Sequence, residues 1–328
     1  MNERLKKIAP YAGYPLLYVV CLVAFASWTF PYEKLRDRIL VAFQSSQRPG
    51  AAASQLEIGS VGSSWLTGIK VTDVKLTSPS SDPDGKPSEL MVDEAVVRVS
   101  LLPLLIGKRK VTFDASMLGG ELSGSFSISS KERTLDLEFD SLGLAGVGPI
   151  TQALGVPVDG KLNGSVTMVL PDGKASKATG SIAFDVKEMS VGDGKAKLKG
   201  ALALPKVDVG NLTITGEAKE GALKLTKLSA DGKDVELDGQ GRVGLRENAT
   251  DDTLDVSLKF KISDSYRSKN DVTKSLFGAP GSSAPALFDM DPKVKKSKRS
   301  DGFYAWNIRG TLGRPDPQPA PGGGGGGR

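Results

Sequence analysis

Histidine is absent from the 328 residues, cysteine occurs once, at Cys21, and aromatic residues make up only 6%. Without histidine there is no Ser-His-Asp or Cys-His nucleophilic site and no histidine-ligated zinc. With a single cysteine there is no thiolate metal site and no intramolecular disulfide. An oxidising compartment often favours disulfides, but a large β domain can do without them. Paired carboxylates could still perform acid–base chemistry, since 38 Asp and Glu are present. Most alternate with apolar residues, as on a solvated strand face. The expectation is a protein without enzymatic activity, cofactor or metal.

Strong charge of one sign is missing too. The formal net charge is +5, and the densest basic group (Lys293, Lys295, Lys296, Lys298, Arg299) contains no aromatic residue. A nucleic-acid interface would interleave the two, so none is expected. A solvated loop is the ordinary reading of this group, and contact with anionic lipid head groups the alternative.

What the chain does have is one long apolar run. Residues 8–30 carry no charge over 23 positions, and as a helix they would span about 34 Å against about 30 Å of hydrocarbon. Arg4, Lys6 and Lys7 precede the run against Glu3 alone. Positive charge stays on the cytoplasmic side, so the bulk of the chain is expected outside the cytoplasm. A cleaved signal peptide is the alternative: Ala24-Phe25-Ala26 fits its cleavage pattern, and Pro10, Gly13 and Pro15 weaken the first turns. Trp28, Phe30 and Tyr32 continue past that point like an interfacial belt and favour a retained anchor.

The expected organisation is a cytoplasmic stub at 1–7, a transmembrane anchor at 8–30, an amphipathic helix at 31–48, a β domain at 55–313 and a disordered Pro/Gly tail at 314–328. In the helix, Leu35, Ile39 and Phe43 recur every fourth residue while Lys34, Arg36, Asp37 and Arg38 face away. The period then falls towards 2. Leu135, Leu137 and Phe139 alternate with Asp136, Glu138 and Asp140. Leu162, Val166 and Met168 form a second such set, with Gly164 at the missing step, and Ile182, Phe184 and Val186 a third. Leu254, Val256, Leu258, Phe260 and Ile262 alternate with Asp255, Ser257, Lys259 and Lys261. Strict alternation means antiparallel sheet with one apolar and one wet face. These fourteen apolar residues are the candidate ligand-facing or core face.

Asp172-Gly173, Asp193-Gly194 and Asp231-Gly232 mark tight turns, and roughly 14 strands fit an all-β meander. Short helices are expected at 149–154 and 271–277, the latter capped by Gly278, then a loop at 281–301 and a last strand at 302–313. A weak repeat of glycine, apolar residue and glycine at 119–124, 159–164 and 194–200 suggests a sheet that grows by stacking rather than a closed barrel.

Several segments in order carry a resemblance. They are Gln55-Leu56-Glu57-Ile58-Gly59-Ser60-Val61, Gly68-Ile69-Lys70-Val71-Thr72-Asp73-Val74-Lys75-Leu76, the stretch LMVDEAVVRVSLLPLL at 90–105, and Leu118-Gly119-Gly120-Glu121-Leu122-Ser123-Gly124. Behind an N-terminal apolar run, this order resembles the AsmA-like superfamily of envelope proteins. The closing Ile308-Arg309-Gly310-Thr311-Leu312-Gly313-Arg314-Pro315 resembles the protein N family (GspN) of the type II secretion system. The resemblance implies a Gram-negative inner-membrane anchor and a long, curved, mostly antiparallel open sheet in the periplasm. It also implies partners: the inner membrane, other secretion subunits, and phospholipid acyl chains on an apolar concave face. It supplies no catalytic residue. Two functions follow as expectations, a non-enzymatic component of type II secretion and a lipid-binding or lipid-transfer protein.

Overall fold

The computed structural model describes residues 53–320 except 66, 80–86, 148–155, 195–196, 199–201, 204 and 283–285, together with 29–47 and scattered positions between 14 and 25. Among the described residues, no helix is long and apolar enough to cross a membrane. Most of the run at 8–30 lies outside them, as do the stub at 1–7, the short helix expected at 149–154 and residues 321–328.

Helix α1 (Tyr32–Ser46) takes the expected amphipathic form, with Leu35, Ile39 and Phe43 half-buried and Lys34, Arg36, Asp37 and Arg38 exposed. It packs beside the start of β1 (Gln55–Ser64), where Gln47 Nε2 donates to the Ser54 carbonyl at 2.6 Å. The chain continues through β2 (Gly68–Ser78), β3 (Ser88–Ser100), the short α2 (Leu101–Leu105), β4 (Arg109–Met117), β5 (Gly120–Ile128), β6 (Glu132–Gly143), β7 (Val158–Pro171) and β8 (Thr179–Val191). A separate hairpin, β9 (Lys197–Leu198) and β10 (Leu202–Ala203), interrupts the series. Then come β11 (Val207–Lys219), β12 (Ala222–Asp231), β13 (Val235–Gly244) and β14 (Thr253–Ile262), followed by α3 (Asp264–Arg267), α4 (Asp271–Phe277), α5 (Pro292–Ser297), β15 (Tyr304–Thr311) and β16 (Arg314–Pro319).

Apart from β9 and β10, all strands form one 14-stranded antiparallel sheet in which each strand bonds to the next, with β1 and β16 as its edges. Tight turns allow this meander. Leu118-Gly119 alone joins β4 to β5 and Glu220-Gly221 alone joins β11 to β12, and all four residues have positive φ (53° and 73°, 50° and 73°), the primed-turn geometry whose twist matches that of the flanking strands. Asp172-Gly173 takes the same conformation, with φ 55° and 69°, but a 3-10 turn at Ala175–Lys177 follows it before β8. The third copy of the weak repeat departs from the pattern, because 194–200 leads into β9, outside the main sheet.

Two expectations need correction. The stretch 281–301 is not wholly loop: Phe288–Met290 forms a 3-10 turn, and α5 starts at Pro292 with Asp291 as its cap, Oδ1 accepting from Lys293 N at 2.7 Å. Asp-Pro is itself a helix-start signal, since proline at the first position loses no helical hydrogen bond. The strands also run past Gly313, because 314–319 forms β16 rather than a disordered tail. Its prolines fall on alternate residues, 315, 317 and 319, while Ala320 N in the intervening phase donates to Ala305 O at 2.9 Å. The missing N–H groups therefore face the free edge, where a strand tolerates proline.

The meander gives the sheet two rims. One carries α1, the start of β1, the β9–β10 hairpin and the helices α3–α5; the other carries α2 and the turns after β1, β5, β7, β11, β13 and β15. The two buried clusters lie at the α1 rim. One gathers Leu144, Val158 and Val186; the other gathers Val207, Val209, Ala230 and Tyr266, with Ile262 and Phe277 packed against it.

Candidate binding face

Residues directly opposite in an antiparallel pair project to the same face. One row runs across the sheet through Ile69, Val97, Phe113, Gly124, Leu137, Val166, Ile182, Gly216, Leu225, Gly241, Val256 and Ile308. Parallel rows contain Leu135 with Met168, Phe139 with Gly164 and Phe184, Leu162 with Val186, Leu258 with Trp306, and Leu254 with Val243. All fourteen sequence-predicted residues stand on this one face. Glycines on it give the large side chains room: a Cβ on Gly124 would lie 2.8 Å from Phe113 Cζ, and one on Gly164 would lie 2.7 Å from Phe184 Cδ1. Phe139 and Phe184 meet edge-on over that position, with centroids 5.6 Å apart.

The opposite face is wet. Lys259 pairs with Asp238 at 2.9 Å, Lys75 with Glu89 at 2.9 Å and Arg98 with Asp114 at 2.8 Å, while Ser60 bonds Thr72 and Ser257 bonds Asn307. The bond to Glu89 raises the Lys75 pKa. These partners are exposed, so each pair contributes little to stability.

Among the described residues, the apolar face is covered at one end. Along the α1 rim, α3 and α4 lie over the ends of β11–β14, and Tyr266 is 1% exposed. A ladder of rings binds this layer to the sheet. Tyr266 meets Phe277 at 5.9 Å, Phe277 meets Phe288 at 5.4 Å, Phe288 meets Tyr304 at 5.3 Å, and Tyr304 stacks on Phe260 at 5.4 Å. The ladder's polar ends are satisfied, because Tyr266 donates to Pro205 O at 2.7 Å and Tyr304 to Asp289 at 2.8 Å. Burial, reinforced by Asp234, pushes the Tyr266 hydroxyl up to about 12. Burial and the bond to Asp289 push Tyr304 up as well. Asn270 and Thr273 form a reciprocal capping box at the start of α4, Gly278 ends it at φ 74°, and Arg267 Nε donates to the carbonyls of Phe277 and Gly278. The helix expected at 271–277 thus helps to close one end of the face.

The fourteen residues divide accordingly. Val186 is buried, Leu162 packs against its cluster, Ile262 lies under Tyr266 and Phe260 under Tyr304. The other ten are half-buried by their neighbours in the sheet. Among the described residues no second layer of strands lies over them: strands in substantial contact are hydrogen-bonded neighbours, β11 and β13 apart. Towards the far rim of β3 and β5 the face opens further, and Val97, Val99, Phe126 and Ile128 are exposed.

Sequence periodicity missed the continuation of this face over β2–β5 and β11–β13. Bulges break the alternation there, as between Leu225 and Leu228 in β12, where the apolar phase resumes after three residues; the same step occurs in β6 between Phe139 and Leu142, where Ser141 takes φ 54°. Glycines at 124, 216, 239 and 241 occupy other apolar positions and read as gaps. Counting glycine as neutral and allowing a three-residue step would have recovered the whole face. No family model, no curated protein and no solved structure matches the chain.

Proposed function

We propose that this is a non-enzymatic envelope protein, tethered through residues 8–30, which holds the acyl chains of an amphiphile against the uncovered part of its apolar face. One observation carries the reading: ten aliphatic and aromatic residues in register over β6–β8 and β14 have no second layer above them among the described residues. Exposed apolar surface beyond a few hundred Å² calls for a partner or ligand. At about 4.8 Å per strand, fourteen strands extend roughly 65 Å, long enough to lay out extended hydrocarbon. The lining is Leu, Val, Ile and Met with two Phe, and its glycines leave room for the sheet to curve towards that side.

Membership of the type II secretion machinery, the function suggested by the resemblance, is the second reading. It is favoured by the free edge of β1, which could accept a strand from another subunit. The β16 edge is unsuited to that, because its prolines remove the donors. Lipid extraction and mass spectrometry of the full chain separate the two. Under the amphiphile reading, Leu137→Asp with Val166→Asp leaves a folded protein with several-fold less bound lipid than the parent chain. Equal lipid in both would set the amphiphile reading aside in favour of the scaffold.

A further inference from the structure

The far rim carries an apolar projection that neither reading uses. Between β3 and β4 the chain reads Leu101-Leu102-Pro103-Leu104-Leu105-Ile106. Leu102, Leu105 and Ile106, at spacing i, i+3, i+4, fall on one side of α2 and its cap, and are exposed by 80%, 83% and 73%. Beside them, in the β1–β2 turn, Trp65 is 85% exposed. Trp65 and Leu101 line one open cavity of about 550 Å³ together with Arg98, Val99 and Thr112. The patch is ordered by its own backbone: Val99 N donates to Thr67 O at 3.2 Å, and Lys108 N to Pro103 O at 2.9 Å. Single exposed leucines are ordinary on a protein surface, but a contiguous group of this size with a tryptophan is not.

Charge decides what the patch fits. From residue 99 to residue 113 there is no acidic side chain, and Lys108, Arg109 and Lys110 follow the apolar turn directly. Arg98 is engaged by Asp114 at 2.8 Å, whereas these three form no ion pair among the described residues. Protein–protein interfaces are ordinarily depleted in lysine. Apolar residues at the tip, tryptophan beside them and a collar of positive charge alone match the layers of an anionic bilayer: acyl boundary, interface and head groups. We infer that the Trp65/Leu101–Ile106 projection docks into the interface of an anionic phospholipid bilayer. This goes beyond the acyl-chain reading and holds whether or not the sheet carries lipid. The exposed Val97, Val99, Phe126 and Ile128 adjoin it, so the open end of the apolar face lies next to the docked surface.

The test uses the full chain with Cys21→Ser and a polarity-sensitive fluorophore on Leu102→Cys, reconstituted in phosphatidylcholine liposomes with or without phosphatidylglycerol. Doxyl-labelled lipid is placed either in the host liposomes or in added vesicles. The expected result is a blue shift and quenching that require phosphatidylglycerol. Each of Lys108→Glu, Arg109→Glu and Lys110→Glu should weaken quenching about fivefold or more, and Leu105→Asp should abolish it. All these positions are exposed or half-buried, and circular dichroism should confirm that the variants stay folded. A label equally wet and unquenched in every membrane would overturn the inference. So would protection that needs no lipid and rises with protein concentration, which would assign the patch to a second copy of the chain.

Discussion

One apolar face meets two fates in this molecule. At the α1 rim of β11–β15 it lies beneath α3, α4 and five linked rings, and Tyr266, Thr273 and Ser297 are almost wholly shielded from water. Over β3–β7 towards the far rim, equally apolar residues in the same register have no second layer above them among the described residues. Local sequence is similar in the two regions. What differs is the long excursion between β14 and β15, whose apolar side chains supply a second layer. The β4–β5 and β11–β12 connections, by contrast, are two-residue turns that cannot reach over the sheet.

The largest predicted effect breaks the covered end. Tyr266→Ala removes a buried ring and leaves the Pro205 carbonyl without its donor, so stability in urea should fall by about 3–5 kcal/mol. Leu137→Ala, on the open part of the face, should cost under about 1.5 kcal/mol in the same assay, because its side chain is already partly in water. Similar losses at the two sites would mean that the open region is covered in solution.

Alkaline pH sharpens the contrast. The Tyr266 hydroxyl titrates at about 12 in the folded protein, against about 10 in an unfolded chain. Between those values the unfolded chain holds fewer protons, so this contribution is intact below about pH 10 and is lost as pH rises, with a slope approaching 1.4 kcal/mol per pH unit. Tyr304 shifts in the same direction. Urea unfolding on either side of pH 10 measures the effect, and Tyr266→Phe should reduce it. The smallest change is expected on the wet face, where Lys259→Ala breaks an exposed pair with Asp238 and should cost no more than about 1 kcal/mol.

Much of the fold was legible because strand alternation and turn chemistry are local. The roughly fourteen strands, the turn at Asp172-Gly173, α1 and α4 with its Gly278 cap follow from spacing and residue type. The candidate face was legible where alternation was unbroken, as at 254–262, or interrupted by a single glycine, as at Gly164. Bulges near Ser141 and glycines such as Gly216 and Gly241 concealed the rest, because a change of phase looks like the end of a strand. β16 was missed because three prolines in six residues read as disorder, and only an edge position makes them compatible with a strand. Coverage of the α1-rim end could not be read locally at all. It depends on Tyr266 reaching Val207 and on Phe288 reaching Tyr304, contacts between distant parts of the chain.

The most direct test of the open face places a photo-crosslinking amino acid at successive positions of β7 in the full chain within its native membrane. Val166 and Met168 point to the apolar face, and Ser165 and Thr167 to the wet one. If the face holds acyl chains, irradiation should give lipid adducts at 166 and 168 and none at 165 and 167. Adducts at neither pair, or equally at both, would contradict the account.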